Sequence, residues 1–147
     1  MYYANYHTHT CFCDGRDTPE QLVQEAIRLG CPALGFSGHS YTPYEAAWMP
    51  KEHILPYQAE IRRLQSAYSG QIRILLGIEQ EYYSDEPTEA YDYVIGAVHN
   101  LRHGSEYRSV DHTRERLIAI VDDWFGGDWY ALAEEYYALV GNLYEKT

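Results

Sequence analysis

The chain has 147 residues, enough to bury one core, and sixteen tyrosines supply much of its apolar content. Eleven basic against 22 acidic residues give a formal net charge of −11 at pH 7. No basic stripe is present, which argues against nucleic acid as a ligand and favours cations, either metal ions or an amine-bearing small molecule.

Met1-Tyr2-Tyr3-Ala4-Asn5 has neither the basic region nor the apolar run of an export signal. No stretch approaches the ~20 apolar residues of a membrane span. Three cysteines without disulfide spacing then lead to the expectation of a cytoplasmic protein with reduced thiols and no membrane partner.

The first predicted element is a short strand, Tyr2 to Tyr6. Thr18-Pro19-Glu20-Gln21 announces a helix: Thr18 caps, Pro19 fits the first helical position and Gln21 closes a capping box. Leu22, Val23, Ala26, Ile27 and Leu29 follow at helical spacing, and Gly30 stops the helix. Ala33 to Ser37 is a second strand, ending at Gly38-His39-Ser40 and followed by a Tyr/Pro-rich loop to Pro50.

Lys51 to Tyr68 is helical in pattern, with Ile54, Tyr57, Ile61, Leu64 and Tyr68 on one face. Pro56 should limit or bend its start. Ile72 to Ile78 is the clearest strand, terminating at Glu79, and Tyr93 to Val98 is another, ending at His99. A polar loop holding His103 and His112 comes next. Thr113 caps a helix to about Phe125, Gly126-Gly127 breaks it, and Asp128 opens a last helix to about Lys146. Strands separated by helices predict an α/β fold with a mainly parallel sheet, its strands apolar on both faces where helices cover them.

One regularity carries the chemistry. The strands end at His7 and His9, at His39, at Glu79 and at His99, so each delivers a metal-ligand residue type at its C-terminal end. In parallel α/β folds that edge is where active sites form. His7 and His9 are two apart; in extended chain they point the same way, roughly 6–7 Å apart, and can close on one ion. Asp14 adds a hard oxygen ligand, and Glu79 has two carboxylate oxygens to span two ions. Glu81 shares the parity of Glu79 and is its rival. Nitrogen and oxygen donors together suit Zn²⁺, Mn²⁺ or Fe²⁺.

The other reactive residues have plainer readings. Cys11-Phe12-Cys13 makes a strained disulfide and has no second pair to complete a zinc ribbon, so packing beside the site is expected. Cys31 reads as core, His53 as a solvated or capping residue, and His103 and His112 as surface. Trp124, Trp129, Tyr130, Tyr136 and Tyr137 most simply pack the final helices.

The set His7-x-His9-x-x-x-x-Asp14-Gly15, Gly38-His39-Ser40, Gly77-Ile78-Glu79 and Gly96-Ala97-Val98-His99 resembles the PHP (polymerase and histidinol phosphatase) superfamily, most closely its histidinol-phosphatase branch. The likeness also takes in Tyr41-Thr42-Pro43-Tyr44 and Ile54-Leu55-Pro56-Tyr57. It implies a distorted (β/α)7 barrel with up to three divalent ions (Zn, Mn or Fe) that hydrolyses a phosphate monoester, histidinol phosphate, in histidine biosynthesis. By position, His7, His9 and Glu79 would hold one ion, Glu79 would bridge to a second that His99 also binds, and Asp14 and His39 would hold a third. Asp14 and Glu79 are the catalytic candidates. Tyr41, Tyr44, Glu45 and Trp48 follow His39 where a loop could cover a pocket: Glu45 for a substrate amine, Trp48 against an imidazole. Arg16 and Arg102 are the candidate phosphate contacts.

Family members continue into a further histidine-bearing strand and a late Asp-x-His motif, and Thr147 falls before both. The whole chain, residues 1–147, is therefore expected to form a single PHP-like domain equal to the N-terminal half to three-fifths of the barrel, a partial barrel truncated before its C-terminal strands. Two alternatives stand beside the phosphatase. One is a non-catalytic metal-binding or assembly half whose partner is a second copy or a complementing C-terminal half; the other is an α/β domain with coincidental histidines.

Overall fold

The computed structural model describes residues 3–46 and 48–145. Tyr2, where the first strand was expected to begin, and Lys146, where the last helix was expected to end, lie outside the described residues. The chain forms two compact units, one up to Ile95 and one from Gly96 on.

The first unit is built from α1 (Pro19–Arg28), β1 (Ala33–Phe36), α2 (Lys51–Ala67), β2 (Arg73–Glu81) and the start of β3 (Tyr93–Ala97). The capping box forms as the sequence predicts: Thr18 Oγ1 accepts from the Gln21 amide at 3.3 Å and Gln21 Oε1 accepts from the Thr18 amide at 2.9 Å. Gly30 takes a positive φ of 72° and ends the helix. In α2, Tyr57, Ile61 and Leu64 are the buried stripe. Pro56 sits inside α2 and does not delimit it. Its missing N–H forfeits only one bond, to the first-turn residue Glu52, so the helix passes through it.

β1 and β2 pair in parallel, Ala33 opposite Arg73 through Phe36 opposite Leu76, and β3 is the third strand of this sheet. Leu34, Phe36, Ile74 and Leu76 turn one face onto Val23, Ala26, Tyr57, Ile61 and Leu64 of the two helices, and this is the core. The expectation of strands apolar on both faces is met by Ala33 and Leu75 opposite this one, but the cover differs between the two faces. On the other, a Cβ at Gly35 or at Gly77 would strike the ring of Tyr93. The small residues there make room for an aromatic ring lying across the sheet.

Two strand ends differ from expectation. β2 runs on through Glu79 to Glu81 because pairing resumes beyond β1: His39 stands opposite Glu79 in a parallel bridge, and the Glu81 amide donates to Ser40 Oγ at 3.0 Å. The segment before His7 is not a regular strand. Asn5 makes a single parallel bridge to Leu34, and the pairing then slips.

The second unit begins with a hairpin, β4 (Asn100–His103) and β5 (Glu106–Ser109), antiparallel from Asn100 opposite Ser109 to His103 opposite Glu106. A polar loop was expected here: Arg102, Glu106 and Arg108 make these four-residue strands read as polar. His103 is half-buried in them, not a surface loop residue; its ring stacks on Trp124 at 4.2 Å and Nε2 lies 3.1 Å from Glu135.

α3 (Arg114–Phe125) is capped by Thr113 and closed by Gly126 at φ 59°. α4 (Trp129–Gly141) is capped by Asp128 and followed by a 3₁₀ turn, Leu143–Glu145. The final aromatics do not all pack. Trp124 does, but Trp129, Tyr130 and Tyr137 are exposed, and none of the described residues of α4 is buried. Among the described residues no helix is long and apolar enough to cross a membrane.

Candidate metal centre

In the first unit His7, His9, Asp14, His39 and Glu79 converge. Glu79 is buried, and its Oε2 lies 3.3 Å from His7 Nε2, 3.1 Å from His9 Nε2 and 3.1 Å from His39 Nδ1. Asp14 faces the other nitrogens of two of these rings: Oδ1 is 2.7 Å from His9 Nδ1 and Oδ2 is 3.5 Å from His39 Nε2. His9 and His39 stand edge to face between the two carboxylates, their centroids 4.4 Å apart.

A tight turn brings Asp14 back over His9. The amides of Cys13 and Gly15 both donate to the Thr10 carbonyl, at 3.0 and 3.1 Å. A Cβ on Gly15 would sit 2.5 Å from the Thr10 nitrogen, so the chain folds back this closely only at glycine.

The proton bookkeeping of the cluster calls for a cation. Neutral imidazole carries one N–H, yet both ring nitrogens of His9 face carboxylate oxygens. Burial pulls the His9 pKa down, but hydrogen bonds to Cys13, Glu79 and Asp14 outweigh it and push it up to about 11. Burial likewise raises Asp14, and its bond to His9 and the charges of His39 and His9 reverse this, leaving it below the ordinary carboxylate value.

A divalent ion satisfies the same acceptors without the extra proton. Two sets, His7/His9/Glu79 and His9/Asp14/His39, each offer three ligand atoms within 4.8 Å of one another. The donors are imidazole and carboxylate, so the residues fit a divalent transition metal.

Glu81, the rival carboxylate, is buried on the same strand and belongs to neither set. His99 follows β3 in the second unit, where its carbonyl accepts from the Val110 amide at 2.9 Å. Arg102 is also in that unit, its Nε bonded to the Gly104 carbonyl at 2.8 Å and its guanidinium over Tyr107. Arg16 is exposed on the loop before α1.

Tyr41, Tyr44, Glu45 and Trp48 line a cavity of about 270 Å³. Trp48 stacks on the His39 ring with centroids 5.0 Å apart. One face of the indole is therefore covered by the chain's own imidazole.

All three cysteines are free, and Cys13 packs against the core. Cys31 also packs against the core. His53, in the first turn of α2, places Nδ1 3.2 Å from the Phe12 carbonyl, bracing the loop that carries Asp14.

Sequence reading missed the part played by Tyr57. Between the β1–β2 ladder and the His39–Glu79 bridge, the next bond in register would run from the Gly38 amide to the Gly77 carbonyl. The Tyr57 hydroxyl is inserted there: it accepts from Gly38 at 3.3 Å and donates to Gly77 at 2.8 Å. It holds the two strands apart just before they present His39 and Glu79. A lone tyrosine on a helical stripe signals core; only three-dimensional register reveals the insertion.

These features define an α/β protein whose parallel strands present a histidine–carboxylate centre for divalent metal. The PHP domain model matches residues 5–145, and the chain belongs to that family. It is 32% identical over 154 residues to the histidinol-phosphatase of Bacillus subtilis, covering 89% of this chain and 56% of the relative. A Deinococcus radiodurans protein described as a histidinol-phosphatase is 35% identical over 109 residues, 65% of this chain and 41% of the relative. A crystal structure from Listeria monocytogenes, assigned as a histidinol phosphatase, superposes with a TM-score of 0.69 at 23% identity, covering 78% of this chain and 51% of that one; it shows the shared fold. The chain thus spans about half the length of the relatives it matches.

Proposed function

We propose that this chain is the metal-holding part of a divalent-metal-dependent phosphomonoester hydrolase of the histidinol-phosphatase type, acting on histidinol phosphate. One observation carries the reading: five side chains from four separate segments meet in two overlapping ligand sets that share His9. The names of the curated relatives supply the substrate class.

His7, His9 and Glu79 would hold one ion and His9, Asp14 and His39 another. His99 enters on sequence grounds, as the residue closing the run Gly96-Ala97-Val98. The ions, Zn²⁺, Mn²⁺ or Fe²⁺, supply Lewis acidity toward phosphoryl oxygens and lower the pKa of water toward 7.

The chain's own groups do the rest. Glu79, buried, holds three imidazoles in fixed orientation. Asp14, the more exposed carboxylate and held ionised, faces solvent and can take a proton beside the ions. Trp48 keeps water off one face of His39. Glu45 and Tyr41 line the adjoining cavity and are the proposed contacts for the substrate amine and ring, with Arg16 and Arg102 for phosphate. The architecture is the N-terminal part of a (β/α)7 barrel.

The second reading rests on the same two ligand sets: a metal-binding half without turnover of its own, completed by a second copy or another polypeptide. Metal analysis of protein prepared without chelator, with phosphate release measured on the same sample from histidinol phosphate and from an aryl phosphate, separates the two. Bound metal with preferential histidinol phosphate turnover supports the phosphatase, and bound metal without turnover supports the assembly half. Absence of bound metal overturns both. Light scattering reports self-association.

A further inference from the structure

His7 and His9 sit on a segment with little regular pairing. Asn5 stands opposite Leu34, and the Gly35 amide donates to the Asn5 carbonyl at 2.7 Å. In that register the next carbonyl to accept, from the Ser37 amide, would be that of His7, and the Thr8 carbonyl would point away. It accepts from Ser37 instead, at 2.9 Å. One extra residue is therefore accommodated between Asn5 and Thr8, a bulge that breaks the ladder at His7. Bulges beside active sites re-aim side chains, and each leaves backbone groups without ladder partners.

Here side chains supply those partners. The His7 amide donates to Asn5 Oδ1 at 3.0 Å, and the Thr8 amide donates to Ser37 Oγ at 3.2 Å. The Tyr6 carbonyl accepts from the Tyr93 hydroxyl at 2.6 Å. Tyr93 and Ser37 therefore hold the chain on the two sides of His7. The Tyr93 ring reaches this point by crossing β2 and β1 over Gly77 and Gly35, the positions with no room for a Cβ.

We infer that Tyr93 is a positioning residue for the metal centre: with Ser37 it locks the bulge that aims His7, and through Thr8 His9, at Glu79. The inference rests on the metal-centre reading for its effect on affinity, while the brace itself is a statement about the backbone. It explains why two neighbouring strands, β1 and β2, each tolerate a glycine in their interior, at Gly35 and Gly77, where entropy argues against it.

The test is Tyr93→Phe, which keeps the ring over the glycines and removes the hydroxyl, with Ser37→Ala as a second variant. Two readouts are taken on the full chain. Amide hydrogen exchange at Thr8 should speed up in both variants, while Leu34 and Phe36 in β1 keep the parent's protection. Titration with Co²⁺, followed by its visible absorption, should show affinity falling roughly tenfold in Tyr93→Phe, as for other residues that orient metal ligands, with a changed spectrum.

Parental exchange at Thr8 in both variants overturns the brace. Altered exchange with an unchanged Co²⁺ affinity and spectrum overturns its bearing on the ligands. If the parent itself takes up no Co²⁺, the proposed function fails while the exchange comparison still decides the brace.

Discussion

Gly77 shows how a single position couples sheet to site. Its missing side chain leaves the space that the Tyr93 ring occupies. Gly77→Ala should therefore force the ring out and destabilise the protein by about 1–3 kcal/mol, as overpacking does, with a matching drop in the urea midpoint. An unchanged midpoint would mean that the ring moves at no cost.

Asp92 offers a second prediction at this scale. Burial raises its pKa, but the Leu76 amide, Arg62 and Gln65, all at 2.7–2.8 Å, outweigh burial and hold it below the ordinary aspartate value of 3.8. A depressed folded-state pKa contributes stability above the unfolded value, and that contribution disappears as pH falls through the lower folded value. The stability gap between parent and Asp92→Asn should therefore be full at about pH 6 and shrink below pH 3.8. A gap constant from about pH 6 to about pH 3 would refute this account of Asp92.

At the scale of elements, the Tyr57 hydroxyl takes a place in the β1–β2 ladder that backbone groups normally fill. In Tyr57→Phe the ring still wedges the strands, leaving the Gly38 amide and Gly77 carbonyl buried without their partner. The expected loss is about 1–3 kcal/mol in urea unfolding, with weaker metal binding because His39 and Glu79 lose their spacing.

The helices show why some elements were legible and others were not. Thr18, Pro19, Gln21 and Gly30 act locally, each meeting the demand of its own helix end, so sequence alone set the bounds of α1. The gathering of His39 and Glu79 was legible because parallel order puts strand ends on one rim. What escaped depends on partners distant in sequence. The extension of β2 to Glu81 needs Ser40, the slip at His7 needs Ser37 and Tyr93, and the hairpin Asn100–Ser109 pairs strands too short and too charged for an alternating pattern to emerge. The stacking of Trp48 on His39 likewise depends on the path of the loop between them and leaves no periodic trace in the sequence.

For the whole molecule, the acidic balance and the shared acceptors of Glu79 and Asp14 make metal binding a matter of stability as well as chemistry. An ion that binds the folded chain and not the unfolded one adds RT ln(1 + [L]/Kd), about 2.7 kcal/mol at a hundredfold excess over Kd. Zn²⁺ or Mn²⁺ should therefore raise the urea midpoint, with stability growing by roughly 1.4 kcal/mol per decade of free ion once the site is mostly filled, and chelator should reverse it. His9 belongs to both ligand sets, so His9→Ala should abolish the increment, whereas His112→Ala, at an exposed position in the second unit, should leave it intact. Nonspecific attraction of cations to a chain of net charge −11 would behave differently: it would fade with added salt and be equal in the two variants. A metal increment that survives His9→Ala and fades with added salt would assign the stabilisation to that diffuse charge and not to the two ligand sets that share His9.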